Sequence, residues 1–93
     1  MIQNEIDIYN RAINVYGYNA QRLMLIEEIG ELLNAIAKLP RARATIDDVI
    51  EKLADVAIMT NQIAFFWGWW EFQTKKEMKL ERLQERLNKV QEL

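Results

Sequence analysis

The sequence predicts an all-α fold, and three observations carry that prediction. Apolar residues recur at three- and four-residue steps along most of the chain, no stretch alternates at period two, and three Gly and one Pro in 93 residues leave few breaks. Ile2, Ile6, Tyr9 and Ile13 step by four, three and four and form one face of a first helix. Gly17 and Asn19 interrupt it, and Asn19 is the expected N-cap of a second helix from about Ala20 to Leu39. Pro40 stops that helix, because proline disfavours the helical conformation in its predecessor. Pro40 to Ala44 reads as a short basic loop carrying Arg41 and Arg43. Thr45 is the expected N-cap of a third helix running from Ile46 to around Phe66, with Asp47 and Asp48 in the first turn where the helix dipole favours acids. Trp67-Gly68-Trp69-Trp70 reads as a turn or kink, and a fourth helix from Thr74 to Leu93 carries the narrow seam Leu80, Leu83, Leu87 and Val90. The expectation is one domain spanning residues 1–93, with four helices.

Composition narrows the function. The chain has no Cys and no His, which excludes zinc fingers, thiol nucleophiles, disulfide frameworks and Ser-His-Asp triads. A metal would have to be a hard cation held by carboxylates, which points to Mg²⁺ or Mn²⁺. A net charge of −2 argues against a duplex nucleic-acid binder. No run approaches the ~20 apolar residues of a membrane span, and the first residues lack the basic region of a signal peptide, so a cytoplasmic protein without a membrane partner is expected. Hydrophobic residues make up 51% of the chain, more than one small domain easily hides, and a homo-oligomer, dimer or tetramer, follows as the expectation.

The most informative segment is Leu25-Ile26-Glu27-Glu28-Ile29-Gly30-Glu31-Leu32-Leu33. Leu23, Ile26, Ile29, Leu33 and Ile36 share one helical face and read as ordinary core. Glu28 lies on another stripe, with Met24 four before it and Leu32 four after, and a carboxylate between apolar turns is costly to bury unless something pairs with it. Asp55 sits in a second apolar stretch, with Asp48 and Gln62 seven residues to either side and Glu51 close to the same face. Two helices joined by a short loop pack antiparallel, so Glu28 and Glu31 are expected to face Glu51 and Asp55. Carboxylates converging without bases repel one another, and a divalent cation is the natural resolution. The bland alternative is a solvated acidic edge partnered by Arg22 and Lys38.

Glu28-x-x-Glu31, a spacer of about twenty residues, and Leu53-Ala54-Asp55-Val56-x-Ile58-Met59 resemble the MazG-like all-α nucleoside triphosphate pyrophosphohydrolases. The likeness rests on Gln21 to Met59. It implies a four-helix bundle completed by oligomerisation, and Mg²⁺-dependent cleavage between the α- and β-phosphates to give a nucleoside monophosphate and pyrophosphate, a house-cleaning of nucleotide pools. It further implies cation ligands at Glu28, Glu31 and Asp55, with a fourth Glu three before that Asp. Here the sequence departs, because position 52 is Lys and the neighbouring acid is Glu51. Either Glu51 or Asp48 supplies the missing ligand, or Lys52 pairs with an acid and weakens the metal site, or the chain is a catalytically impaired oligomerisation or regulatory module. In an active enzyme, Glu27 or Glu28 holds or deprotonates the attacking water.

Three further features have weaker readings. Lys75, Lys79, Arg82 and Arg86 form a basic stripe that reads chiefly as a solvated face, with Lys79 and Arg82 the best candidates for gripping substrate phosphate. Gln21 is a candidate for a base or ribose contact. The cluster Phe65-Phe66-Trp67-Gly68-Trp69-Trp70-Phe72 reads first as core or subunit interface and second as a platform for a nucleobase.

Overall fold

A computed structural model describes residues 4–42 and 44–92. Ile2, Arg43 and Leu93, which the sequence placed in the first helix, the loop and the last helix, lie outside the described residues. The described chain is all-α, with helices α1 (Glu5–Tyr16), α2 (Tyr18–Lys38) and α3 (Ile46–Gln91), and a short 3₁₀ turn at Leu39–Arg41. The four expected helices are therefore three. Of the turn or kink expected at Trp67–Trp70 the kink is found: Gly68 alone leaves helical geometry, and the fourth helix continues the third beyond it.

Helix boundaries follow local chemistry. Thr45 caps α3 as predicted, and does so through a full capping box: its hydroxyl accepts from the Asp48 backbone N–H at 3.1 Å, while Asp48 accepts from the Thr45 N–H at 2.8 Å. Asn19 is not the cap of α2. That helix begins two residues earlier than expected, at Tyr18, because Gly17 makes the whole break between α1 and α2 by itself. At φ +88° and ψ 151° Gly17 occupies a region closed to other residues, and its N–H still reaches the Ile13 carbonyl at 2.8 Å. Gly17→Ala has open space for its methyl group yet is expected to cost about 1–3 kcal/mol from backbone strain. A denaturant titration at fixed protein concentration measures this cost.

α2 and α3 form an antiparallel hairpin, since Glu31 meets Lys52 at one end while Tyr18 meets Phe66 at the other. The line of α2 turned towards α3 is Gln21, Leu25, Glu28, Leu32 and Ala35, and the facing line of α3 is Val49, Lys52, Val56, Met59 and Gln62, all buried or half-buried. α1 packs mainly on α3. Tyr9 anchors it by accepting a hydrogen bond from Asn61 at 3.1 Å, donating to Glu5, and lying against Trp69. The Phe66 ring stacks on Tyr18 at 4.5 Å, and the Trp67 indole N–H donates to the Tyr18 hydroxyl at 3.0 Å. Part of the aromatic cluster thus ties the start of α2 to α3.

The predicted core face of α2 is not core in the single chain. Leu23, Ile26, Ile29, Leu33 and Ile36 are 41–63% exposed, because α2 turns towards α3 the stripe that carries Glu28. Among the described residues the buried apolar set is Tyr9, Ile13 and Met59. Beyond the kink, residues 74–92 are exposed throughout and form an arm standing away from the hairpin. The radius of gyration is accordingly 16.6 Å, against about 12 Å for a compact chain of this length.

Candidate functional site: a carboxylate cluster around Lys52

The hairpin brings together the acids of α2 and α3. Glu28 and Glu31 lie one turn apart on α2, and Lys52 and Asp55 occupy the equivalent turn of α3. The Lys52 Nζ donates to Glu31 Oε2 at 2.7 Å and stands 3.7 Å from Asp55 Oδ2. The side chain that breaks the expected acid pattern thus supplies the positive charge between two of the acids. All three of these side chains keep between a third and a half of their surface in water, so the ion pair by itself adds little stability. Its effect is on the electrostatics of the site.

Glu28 is half-buried, with one of its oxygens enclosed. Its Oε2 is shielded from solvent and has no hydrogen-bond partner. Burial first, then the charges of Glu31 and Asp55, push its pKa above the ordinary 4.5, and Lys52 only partly opposes them. Glu31 moves the other way, held below its ordinary value by the hydrogen bond and charge of Lys52. Lys52 is raised in turn by Glu31. Two carboxylates one turn apart are thereby split, one that holds its proton more readily and one kept ionised, the arrangement by which a site separates acid and base roles.

The raised Glu28 pKa has a consequence for stability. A carboxyl raised in the folded state favours folding while protonated and opposes it once the pH exceeds its folded pKa. Glu28→Gln is therefore expected to raise Tm at pH 7. The gain should shrink as the pH falls and vanish below about 4.5, where the unfolded chain also holds the proton. Thermal melts of both forms at a series of pH values measure this.

The other predicted site residues fall in three groups. Gln21 is buried on the inner line of α2, two turns before Glu28. Glu27 and Glu51 are exposed, Glu27 one position round from Glu28 and Glu51 beside Lys52. Asp48 is engaged in the capping box, which holds its pKa below the ordinary range. Lys79 and Arg82 lie on the exposed arm, and no ion pair links them to the hairpin acids among the described residues. Sequence reasoning gave little weight to Gln62, which is buried with an unpartnered Oε1 on the same inner face. Its seven-residue spacing from Asp55 was the available signal.

Glu28 thus leaves an enclosed acceptor without a donor beside a cation-centred pair of carboxylates, and Gln62 leaves a second one two turns further along α3. Such a site can take up a cation or a hydroxyl-bearing ligand. As the side chains stand, with Lys52 between Glu31 and Asp55, no three acids among the described residues converge closely enough to hold a metal ion. The donor chemistry itself, carboxylate oxygens with one left unpartnered, suits a hard divalent cation once the ammonium group withdraws. Among the described residues no helix is long and apolar enough to cross a membrane. Comparison with known families, with curated proteins and with solved structures gives no significant match.

Proposed function

We propose that this chain is a MazG-like nucleoside triphosphate pyrophosphohydrolase, acting in the cytoplasm as a homo-oligomer whose helical bundle is completed between copies. The observation that carries the proposal is that Glu31 and Asp55, from two helices, flank one ammonium group, with an enclosed and unpartnered oxygen of Glu28 one turn from Glu31. A solvated acidic edge gives no reason for a carboxylate to be buried in this way.

In this reading Glu28, Glu31 and Asp55 hold Mg²⁺, or Mn²⁺, with Glu51 the nearest candidate for a fourth carboxylate, since Asp48 is committed to its cap. The ion would neutralise phosphate charge and acidify a bound water. Glu27 or Glu28 holds or deprotonates the attacking water. Lys52 sits on a four-carbon stem, and a triphosphate offers its ammonium group an anionic partner in exchange for Glu31. Gln21 and Gln62 line the inner face at the far end of the hairpin and suit sugar or base hydrogen bonds. Lys79 and Arg82 lie exposed on the arm without an ion pair to the hairpin acids among the described residues, and are the weakest members of the set.

One observation favours a second reading. Lys52 already places a positive charge between Glu31 and Asp55, so the hairpin holds a cation at this position without metal. The chain would then be an impaired, MazG-like oligomerisation or regulatory module. Calorimetric titration with Mg²⁺, with and without a non-hydrolysable nucleoside triphosphate, separates the two. The enzyme reading expects metal binding that appears with the nucleotide and vanishes in Asp55→Ala. Absence of metal binding in both conditions would mean that Lys52 silences the site, and would overturn the enzyme reading.

A further inference from the structure

We propose that the arm beyond the Gly68 kink is a docking helix for another protein, and that its occupant is an amphipathic helix with an acidic edge. The inference stands apart from the chemistry proposed for the hairpin and from any contact between copies of it. Past the kink the chain is helical to Gln91, and residues 74–92 are exposed throughout. Leu80, Leu83, Leu87 and Val90 step by three, four and three, the spacing of a coiled-coil seam, and are 48–66% exposed. Towards the kink Phe72, Leu80 and Leu83 line a groove, with Lys75, Lys76 and Lys79 along it.

Charge is sorted along this helix rather than mixed. Lys75, Lys79, Arg82 and Arg86 follow one another at steps of four, three and four on one edge of the seam. The other edge carries Glu77, Gln84 and Gln91, while Glu81 and Glu85 lie roughly 140–180° from the seam by the helical period. A solvated helix gains by setting opposite charges three or four residues apart. Here each cation's neighbour along the edge is another cation, and among the described residues none of the four makes an ion pair, Arg82 with Glu85 included. An unpaired basic row beside an exposed apolar seam is complementary to a helix whose own seam is edged with Asp or Glu.

The same residues disfavour a second arm as the occupant. With Leu80 and Leu87 at the a positions of the seam and Leu83 and Val90 at d, Lys76 falls on the preceding d, and Lys79 and Arg86 fall on g. A parallel two-fold pair sets Lys76 against its own copy inside the seam. An antiparallel pair sets Lys79 and Arg86 against the same basic row of the other arm. Either way like charges meet. In the single chain the Lys76 Nζ lies over the Phe72 ring, 5.5 Å from its centroid, a modest hold that a facing carboxylate would replace. A bilayer surface fits less well, because it favours a wide apolar face with a strongly basic polar side, and Glu77, Gln84 and Gln91 occupy one edge here.

Two labelled synthetic helices supply the probes, sharing one leucine seam and carrying either Glu or Lys at every edge position. Fluorescence anisotropy at low salt should show the acidic helix binding the folded chain tighter than the basic one by about tenfold or more. That preference should fade as salt is raised. Lys79→Glu combined with Arg86→Glu should invert it, and Leu83→Asp should weaken the acidic helix by about tenfold or more, with circular dichroism confirming that both variants are folded. Equal affinity for the two helices, or binding of neither at micromolar concentration, would overturn the proposal. Tighter binding to phosphatidylserine vesicles than to the acidic helix would also overturn it and assign the arm to a membrane surface. An oligomer that Leu83→Asp dissociates in sedimentation would overturn it too, by giving the seam to a second copy.

Discussion

Lys52→Glu is expected to make this chain depend on divalent cations. The change replaces the one positive charge between Glu31 and Asp55 with a fourth carboxylate, beside a Glu28 that is already pushed towards its neutral form. Without metal, Tm at pH 7 should fall, because four like charges face one another across the hairpin. With millimolar Mg²⁺ it should recover, since a ligand that binds only the folded state stabilises it by mass action. Mg²⁺ affinity should rise by about 10–100-fold, the range that single residues beside a metal commonly command. Thermal melts with Mg²⁺ and with EDTA measure both effects. Turnover then separates the roles of position 52. A sharp rise in Lys52→Glu shows that the ammonium group holds the native site back, whereas unchanged turnover that Asp55→Ala or Glu31→Ala abolishes assigns the fourth ligand to Glu51 or Asp48.

The second large effect is expected at the acids themselves. Asp55→Ala and Glu31→Ala should each reduce release of pyrophosphate from a nucleoside triphosphate by at least 10²–10³-fold, the loss typical when one preorganised electrostatic group is removed from a transition state. The two losses should not add in the double variant, because the groups act through one cation. Each single change also frees Lys52 from one partner, so folding is checked by circular dichroism beside the assay. Glu27→Ala, at an exposed position, distinguishes the two candidate bases. A large loss there assigns the water to Glu27, and a small one leaves it with Glu28.

The sequence made much of this legible for identifiable reasons. Thr45 followed by Asp48 declares the start of α3, because a capping pair works through three residues of backbone and needs nothing from the rest of the fold. Glu28, Glu31 and Asp55 stood out because acids in apolar helical stretches break the pattern around them. The inward stripe of α2 was not legible. That helix is apolar over most of its circumference, so periodicity offers two faces, and the more hydrophobic one of Leu23, Ile26 and Leu33 points away from α3 in the single chain. Helical period ranks faces by hydrophobicity but does not say which neighbour covers each. The side chain of Asn19 suits a cap, but the backbone of Gly17 makes the turn before it. The role of Lys52 was only half visible. Its identity marked a departure from the acid pattern, but its ammonium group lies between Glu31 and Asp55 because of the antiparallel pairing of two helices 21 residues apart at that point.

The central claim is that Glu28, Glu31, Lys52 and Asp55 form one electrostatic unit. Carboxyl-carbon NMR titration of Glu28 and Glu31 in the folded protein tests it most directly. Glu28 is expected to titrate above 4.5 and Glu31 below it, with the two values drawing closer in Lys52→Met, where Glu31 loses its cation. Titration of both groups together at 4.5, unchanged by that substitution, would contradict the account.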